Sequence, residues 1–159
     1  MTSTGSGRAQ VSLREVTRDT VRAICRLDVG AGQRGNVAPN AVSIAQAYFQ
    51  RDVAWFRGIY AGDEPVGFVM LYDPSAADKP EEPDFFLWRL MIDERFQGKG
   101  YGRRAVELLI DHVRARGAKQ LLVSHVNAAD ELRRFYTSLG FVYTGQEEDG
   151  ELVMWLPVT

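Results

Sequence analysis

The sequence predicts an α/β protein with about seven strands and four helices. Runs of alternating or continuous apolar residues, typical of strands, are interleaved with segments whose apolar residues recur at the i, i+3 and i+4 spacing of a helix. A glycine-rich turn also joins the continuous apolar strand Phe85–Ile92 to a long amphipathic helix. The chain has 159 residues with no repeat and no linker, so we expect one domain over residues 9–159. A disordered Ser/Thr/Gly-rich tail is expected at residues 1–8.

The predicted elements follow the order β-α-α-β-β-β-α-β-α-β-β along the chain. Thr17 can cap the first helix, and Gly117 and Gly140 end the last two. Ala61–Pro65 and Glu147–Gly150 carry the residues of hairpin turns. The strands are predicted at Gln10–Val16, Ala54–Tyr60, Val66–Tyr72, Phe85–Ile92, Gln120–Ser124, Val142–Gly145 and Leu152–Leu156, and the helices at 17–27, 41–50, 100–116 and 130–139.

Composition argues against several classes of protein. The net charge is −2 and the sequence pI is about 5.7, so the chain lacks the basic excess of nucleic-acid-binding proteins. No apolar run reaches the roughly 18 residues of a membrane span, and the N-terminus lacks the apolar core of a signal peptide. We therefore expect no membrane partner and a cytoplasmic location. The single cysteine, Cys25, excludes an internal disulfide, and no metal site is expected.

The segment Gln97-Gly98-Lys99-Gly100-Tyr101-Gly102 predicts a phosphate-binding loop. Its glycines precede a helix, so exposed backbone N–H groups and the positive end of the helix dipole face the same point. It is not a P-loop, because no Ser or Thr follows Lys99. Nor is it a dinucleotide fingerprint, because Arg103 stands where a third glycine is required.

The spacing Gln-x-x-Gly-x-Gly resembles the pyrophosphate loop of the GNAT acyltransferase superfamily. A second segment, Arg134-Phe135-Tyr136-x-x-Leu139-Gly140-Phe141, resembles the signature of that family's last helix, and the order of elements is also the family's. The resemblance implies a mixed twisted sheet with helices on both faces, and transfer of an acetyl group from acetyl-coenzyme A to an amine. The residues that it assigns to the coenzyme are Leu90, Met91, Ile92, Gln97, Gly98, Lys99, Gly100, Tyr101, Gly102, Arg103 and Asn127.

In this assignment the strand edge at Leu90–Ile92 pairs with the pantetheine arm, and the N–H groups of residues 97–103 hold the pyrophosphate. Gly98 and Gly100 would leave room for the ligand. Gly102 alternatively lets the helix pack closely on the sheet. Asn127 lies nine residues before Tyr136, whereas the family's usual spacing of about seven leads to Ala129.

The resemblance gives Tyr136 the role of the acid that protonates the departing thiolate. A phenol with a pKa near 10 is protonated at neutral pH, as an acid must be. The general base stays open. Histone-type members carry a glutamate as the base at the position of Leu87, so this sequence lacks that base. The candidates are a water relay and the carboxylates of Glu81, Glu82, Asp84, Asp93 and Glu94.

The stretch Phe86–Gly100 resembles bacterial diamine and spermidine/spermine N-acetyltransferases, which implies a polyamine acceptor. The acceptor pocket is expected from the loops 28–40 and 73–84, with Trp55 as a further apolar wall. The residues predicted to bind the acceptor are Trp88, Arg89, Glu81, Glu82 and Asp84. The alternatives are another amine, such as an aminoglycoside, an amino acid or a protein N-terminus or lysine, and a non-catalytic acyl-coenzyme A sensor. The resemblance also implies a homodimer.

Overall fold

The computed structural model describes residues 9–35, 37–126 and 129–159, so the predicted tail at residues 1–8 lies outside the described residues. Seven strands and four helices follow one another in the predicted order, which confirms the fold class. The strands are β1 (Val11–Arg14), β2 (Ala54–Ala61), β3 (Glu64–Tyr72), β4 (Phe85–Ile92), β5 (Gln120–Val126), β6 (Val142–Glu148) and β7 (Glu151–Pro157). The helices are α1 (Val21–Arg26), α2 (Asn40–Tyr48), α3 (Tyr101–Ala115) and α4 (Asp130–Ser138). Within these residues no helix is long and apolar enough to cross a membrane.

All seven strands form one mixed sheet in the order β1-β2-β3-β4-β5-β7-β6. Neighbouring strands are antiparallel except for β4 and β5, which are parallel. The last strand in the chain, β7, therefore lies between β5 and β6. This insertion carries the β6–β7 turn to the same end of the sheet as the carboxyl end of β5, because Val126 pairs with Glu151.

The parallel strands β4 and β5 separate part-way along their length. They pair only from Phe85 opposite Leu121 to Leu87 opposite Val123. Beyond this point β5 stays paired with β7, and β4 stays paired with β3. The sheet is consequently open between the second halves of β4 and β5, where main-chain groups are available to a ligand.

A β-bulge lies in β4 where the two strands begin to separate. Arg89 is opposite Met70 and Leu87 is opposite Leu71, so Trp88 is the extra residue. The bulge places two successive side chains on the face of α1 and α2: Trp88 packs into the cluster on that face, and Arg89 reaches Gln46 of α2. A regular strand would have turned one of them to the opposite face.

Each face of the sheet has its own apolar core. On one face α3 buries a stripe of four side chains, Ala105, Val106, Leu109 and Val113, against the strands. On the other face Ile24 of α1 and Ala47 of α2 pack against Phe68, Met70 and Met91. The two layers of helix hold β4 from both sides and fix the position of its open edge.

Candidate active site

A cavity of about 850 Å³ occupies the opening between β4 and β5. Most of its wall comes from β4, β5, α4, the α1–α2 loop and the β6–β7 turn, with one residue each from the glycine loop and α3. The side chains or main chain that line it include Phe86, Trp88, Arg89, Leu90, Met91 and Ile92 of β4, Val123, Ser124 and Val126 of β5, Leu132, Phe135 and Tyr136 of α4, and Gln97 and Gly102. The cavity brings the predicted coenzyme-binding strand edge and the predicted acid to one place.

The main chain of β4 presents free hydrogen-bonding groups to this cavity. The N–H of Asp93 donates to Val66 O of β3 at 2.8 Å. Because successive residues of a strand face opposite sides, the N–H and C=O groups of Ile92 and Leu90 face the opening instead. Gln97 Nε2 donates to Ile92 O at 2.9 Å, which leaves the Leu90 groups and the Ile92 N–H for a ligand. Such an edge fits an extended molecule with amide groups.

The glycine loop forms a second cavity of about 430 Å³, lined by Gly98, Lys99, Gly100 and Tyr101 at the N-terminus of α3. Gly98 and Gly100 have φ values of +76° and +83°, a conformation that side chains disfavour. A Cβ atom at either position would meet nothing within 4 Å, so the backbone conformation itself requires glycine. The exposed N–H groups here fit phosphate oxygens.

Gly102 lines the larger cavity between β4 and α4. A Cβ atom there would lie 3.5 Å from Ile92 Cγ1 and 3.6 Å from Phe135 Cζ, which is ordinary contact. Close packing of α3 on the sheet therefore does not require this glycine, contrary to the alternative prediction. The absence of a side chain keeps the cavity open instead.

Arg103 is part of neither cavity wall. Its guanidinium lies 3.5 Å from Glu107 and 3.4 Å from Ser138 Oγ, which ties α3 to α4. Lys99 lines the smaller cavity, with its ammonium 5.9 Å from the centre of the Phe96 ring. Asn127 lies outside the described residues.

Tyr136 projects from α4 into the larger cavity and is only 5% exposed. Its ring makes edge contacts with Phe135 and Phe141, at centroid distances of 5.1 and 5.5 Å. Burial raises the pKa of Tyr136, so the hydroxyl is protonated at neutral pH. The side chain is thus held in one place and in the protonation state of an acid.

Comparison with known proteins agrees with this geometry. The model of the acetyltransferase (GNAT) family matches residues 21–141. The chain belongs to the GNAT family. A spermine/spermidine N(1)-acetyltransferase of Bacillus subtilis is 28% identical over 149 residues, which are 91% of this chain and 96% of that protein. Two solved structures share the fold over 93% of this chain. A PaiA N-acetyltransferase from Thermoplasma acidophilum in complex with coenzyme A has a TM-score of 0.69 and 13% identity over 99% of its length. A GNAT acetyltransferase from Elizabethkingia anophelis with acetyl-CoA bound has a TM-score of 0.63 and 13% identity over 97% of its length.

As a GNAT enzyme the chain is an acyltransferase that uses acetyl-coenzyme A, and its residues fit that donor. The open edge of β4 suits the amide-containing pantetheine arm, and the glycine loop suits the pyrophosphate. Gln97 of the glycine loop connects the two features: its side-chain amide donates hydrogen bonds to Ile92 O in β4 and to Val29 O in the α1–α2 loop.

Two candidate bases of this GNAT enzyme, Asp93 and Glu94, lie off the cavity walls. Asp93 is 3% exposed and accepts hydrogen bonds from the N–H of Asp28 at 2.9 Å and from Nε of Arg95 at 2.8 Å. Burial alone would raise the pKa of Asp93, but these bonds outweigh it and lower the pKa. Asp93 therefore pins the α1–α2 loop to the end of β4 and is a poor base. Glu94 is exposed and lines neither cavity.

The acidic β3–β4 loop was predicted to bind the acceptor, but none of its residues lines the cavity. Asp84 accepts a hydrogen bond from Gln120 Nε2 at 3.1 Å, at the start of β5. The N–H of Glu82 donates to the Tyr72 hydroxyl, and Glu81 is exposed. The loop precedes β4, so it lies at the end of the strand away from the opening. Trp55 stacks on His112 of α3 at 4.3 Å and also lies off the cavity wall.

Different acids line the cavity of this GNAT enzyme. They are Glu131 at the start of α4 and three residues around the β6–β7 turn, Glu148, Asp149 and Glu151. Sequence reasoning missed them because their position depends on the insertion of β7 beside β5. The local signal was present in the acidic hairpin Glu147–Glu151, whose Asp149-Gly150 dipeptide is typical of a turn.

Proposed function

We propose that this acetyltransferase acetylates a primary amine of a polyamine such as spermidine. The observation that carries the proposal is the placement of Glu148, Asp149 and Glu151 at the cavity, where they can attract a second ammonium group of the acceptor. The similarity to the spermine/spermidine N(1)-acetyltransferase of Bacillus subtilis, over most of both chains, supports the same acceptor class.

The positive side chains at the cavity only weakly offset the attraction of these acids for a cation. Arg34 is paired with Asp28, its Nη2 lying 2.6 Å from Oδ2, so its charge is largely compensated. Arg89 lies deeper, in the middle of β4. Glu148 and Asp149 lie at the exposed rim, and Glu151 is half-buried. A cation that enters the cavity therefore meets carboxylates first.

The chain's own residues divide the reaction between them. Acetyl-coenzyme A supplies the acetyl group as a thioester, which the amine attacks directly. The free main-chain groups of Leu90 and Ile92 hold and orient the donor, and the N–H groups from Gly98 to Gly102 hold its phosphates. Tyr136 Oη gives its proton to the leaving sulfur, while a new amide N–C bond replaces the C–S bond. The amine loses its proton to water or to a cavity carboxylate.

The first test measures thiol release from acetyl-coenzyme A with a panel of acceptors: spermidine, spermine, putrescine, an aminoglycoside, free amino acids and a lysine peptide. We expect kcat/KM for spermidine or spermine to exceed that for the other amines. Faster turnover of an aminoglycoside or amino acid would contradict the polyamine assignment. Coenzyme binding without turnover of any amine would favour an acyl-coenzyme A sensor.

A substitution at the end of β6, beside the turn, tests where the acceptor binds. Glu148→Gln removes a carboxylate that lines the cavity, so KM for spermidine should rise about two- to fivefold, with less effect at high salt. The matched control is Glu147→Gln, one residue earlier in the same exposed strand and off the cavity wall. Equal effects of the two changes would show that the turn attracts polyamines only through its general charge.

A further inference from the structure

Arg89 is the feature of the cavity that the proposed function does not yet use. It lies at the bulge of β4, on the face of α1 and α2, and lines the cavity. Its Nη1 donates to Trp88 O at 3.0 Å and its Nη2 donates to Gln46 Oε1 at 3.3 Å. Its Nε atom is buried and has no hydrogen-bond partner in the described part of the chain. The guanidinium is therefore fixed beside the opening between β4 and β5.

The charge of Arg89 is poorly compensated. Both of its hydrogen-bond partners are neutral groups, and the only described carboxylate that acts on it is Glu151, through a longer-range interaction. Burial lowers the pKa of Arg89, yet an arginine stays protonated at any pH that the protein encounters. The other charged or titratable side chains that line the cavity are Arg34, Glu131, Tyr136, Glu148, Asp149 and Glu151.

The acceptor must lose a proton before it can attack. An alkylammonium with a pKa near 10.4 is almost fully protonated at neutral pH, and protonated nitrogen is not a nucleophile. Asp93 is occupied by its hydrogen bonds, and the position where histone-type enzymes carry a glutamate is Leu87. A fixed positive charge near the reacting nitrogen can replace part of the missing base, because a like charge disfavours the protonated amine.

We propose that Arg89 keeps the reacting amine of the acceptor unprotonated by its charge, while the acids of the β6–β7 turn hold the distal ammonium group. The inference rests on the proposed polyamine acceptor and deepens it. The two kinds of charged group then have opposite electrostatic roles in the cavity: the turn carboxylates favour a charged amine, and the guanidinium at the bulge favours a neutral one. The released proton passes to solvent or to a turn carboxylate.

The test compares Arg89→Met, which removes the charge, with Arg89→Lys, which keeps it. The pH profile of kcat reports groups in the enzyme–substrate complex, so the midpoint for loss of the amine proton is read there. We expect Arg89→Met to move that midpoint up by about one pH unit or more, which lowers kcat roughly tenfold at neutral pH. KM for spermidine should stay constant or fall, because a repulsive charge is gone. Arg89→Lys should restore the midpoint.

Arg57 provides a matched control in the same sheet. It is also a half-buried strand arginine whose Nη1 donates to the carbonyl oxygen of the preceding residue, Phe56, at 2.7 Å. Burial lowers its pKa as it does for Arg89, but it lies off both cavity walls. Arg57→Met should leave the midpoint unchanged.

A second measurement does not depend on turnover. Spermidine is titrated into the protein–coenzyme A complex near pH 8 in buffers of different ionisation enthalpy, which gives the protons released on binding. The wild type should release more protons for each spermidine bound than Arg89→Met does, and coenzyme binding by the variant shows that it is folded. Equal proton release and equal kcat midpoints would overturn the inference, as would a shift in Arg89→Lys as large as in Arg89→Met. Absence of turnover by the wild type with every polyamine would instead remove the proposed function itself.

Discussion

Replacement of Tyr136 by phenylalanine removes the proposed acid with little change in shape. The ring is 5% exposed and keeps its edge contacts with Phe135 and Phe141, so the core loses only one oxygen atom. Loss of a general acid lowers turnover by about 10²- to 10⁴-fold. Loss of the hydroxyl should change the free energy of unfolding by no more than about 1 kcal/mol. We expect kcat to fall at least about 100-fold, while the Kd for coenzyme A stays within about twofold.

The assay pairs thiol release with calorimetric titration of coenzyme A and urea unfolding. The control is Tyr143→Phe, which deletes a hydroxyl that lies 2.8 Å from His125 Nε2 and is not part of the cavity wall. That variant should lose about 1 kcal/mol of stability and keep its kcat. If Tyr136→Phe kept kcat within about threefold, Tyr136 would be a core aromatic and the acid would have to be sought elsewhere.

Two other predictions concern the glycine loop and α3. Gly100→Ala and Gly117→Ala place a methyl group in open space at the two ends of α3, at φ values of +83° and +87°, so each should cost about 1–2 kcal/mol of stability. Only Gly100→Ala should also weaken the binding of coenzyme A, measured by calorimetry. Equal affinities of the two variants for coenzyme A would contradict the phosphate site. Burial and, next, the charge of Arg116 lower the pKa of His112 below its ordinary 6.5, so the unfolded chain takes up this proton first as the pH falls. Stability should therefore decline as the pH drops below about 6.5, and urea unfolding of His112→Gln should show a smaller decline; the same decline in both proteins would refute the assignment.

Local signals in the sequence predicted most elements of the fold. Strand β4 begins and ends at Phe85 and Ile92 as predicted, because its continuous apolar run is bounded by an acidic loop and by the glycine turn. The first helix was predicted to start after Thr17 but starts at Val21, since Thr17 and Thr20 bond each other across a preceding turn. A threonine at the expected cap could not distinguish a turn from a helix.

The candidate site was predictable where it depends on neighbours in the chain. The glycine loop and the tyrosine signature each lie within one turn or one helix, and residues of both line cavities. The predicted acceptor-binding acids lie on a loop that does not line the cavity, because strand order decides which loop reaches the opening. Periodicity indicates that a strand exists, but it does not indicate the neighbours of that strand in the sheet. The bulge at Trp88, which turns Arg89 toward the face of α1 and α2, is likewise set by pairing with β3.

The position of β7 between β5 and β6 also constrains the order in which the strands can pair while the chain is being synthesised. Only three residue pairs join β5 to β4, whereas every residue of β5 has a partner in β7. During translation β5 thus emerges well before β7, the strand with which it forms most of its pairs. The N-terminal strands β1 to β4 can pair on the ribosome, but the far wall of the cavity cannot close until Glu151–Pro157 has been made. Nascent chains arrested before that point should expose an apolar strand edge and depend on chaperones to avoid aggregation.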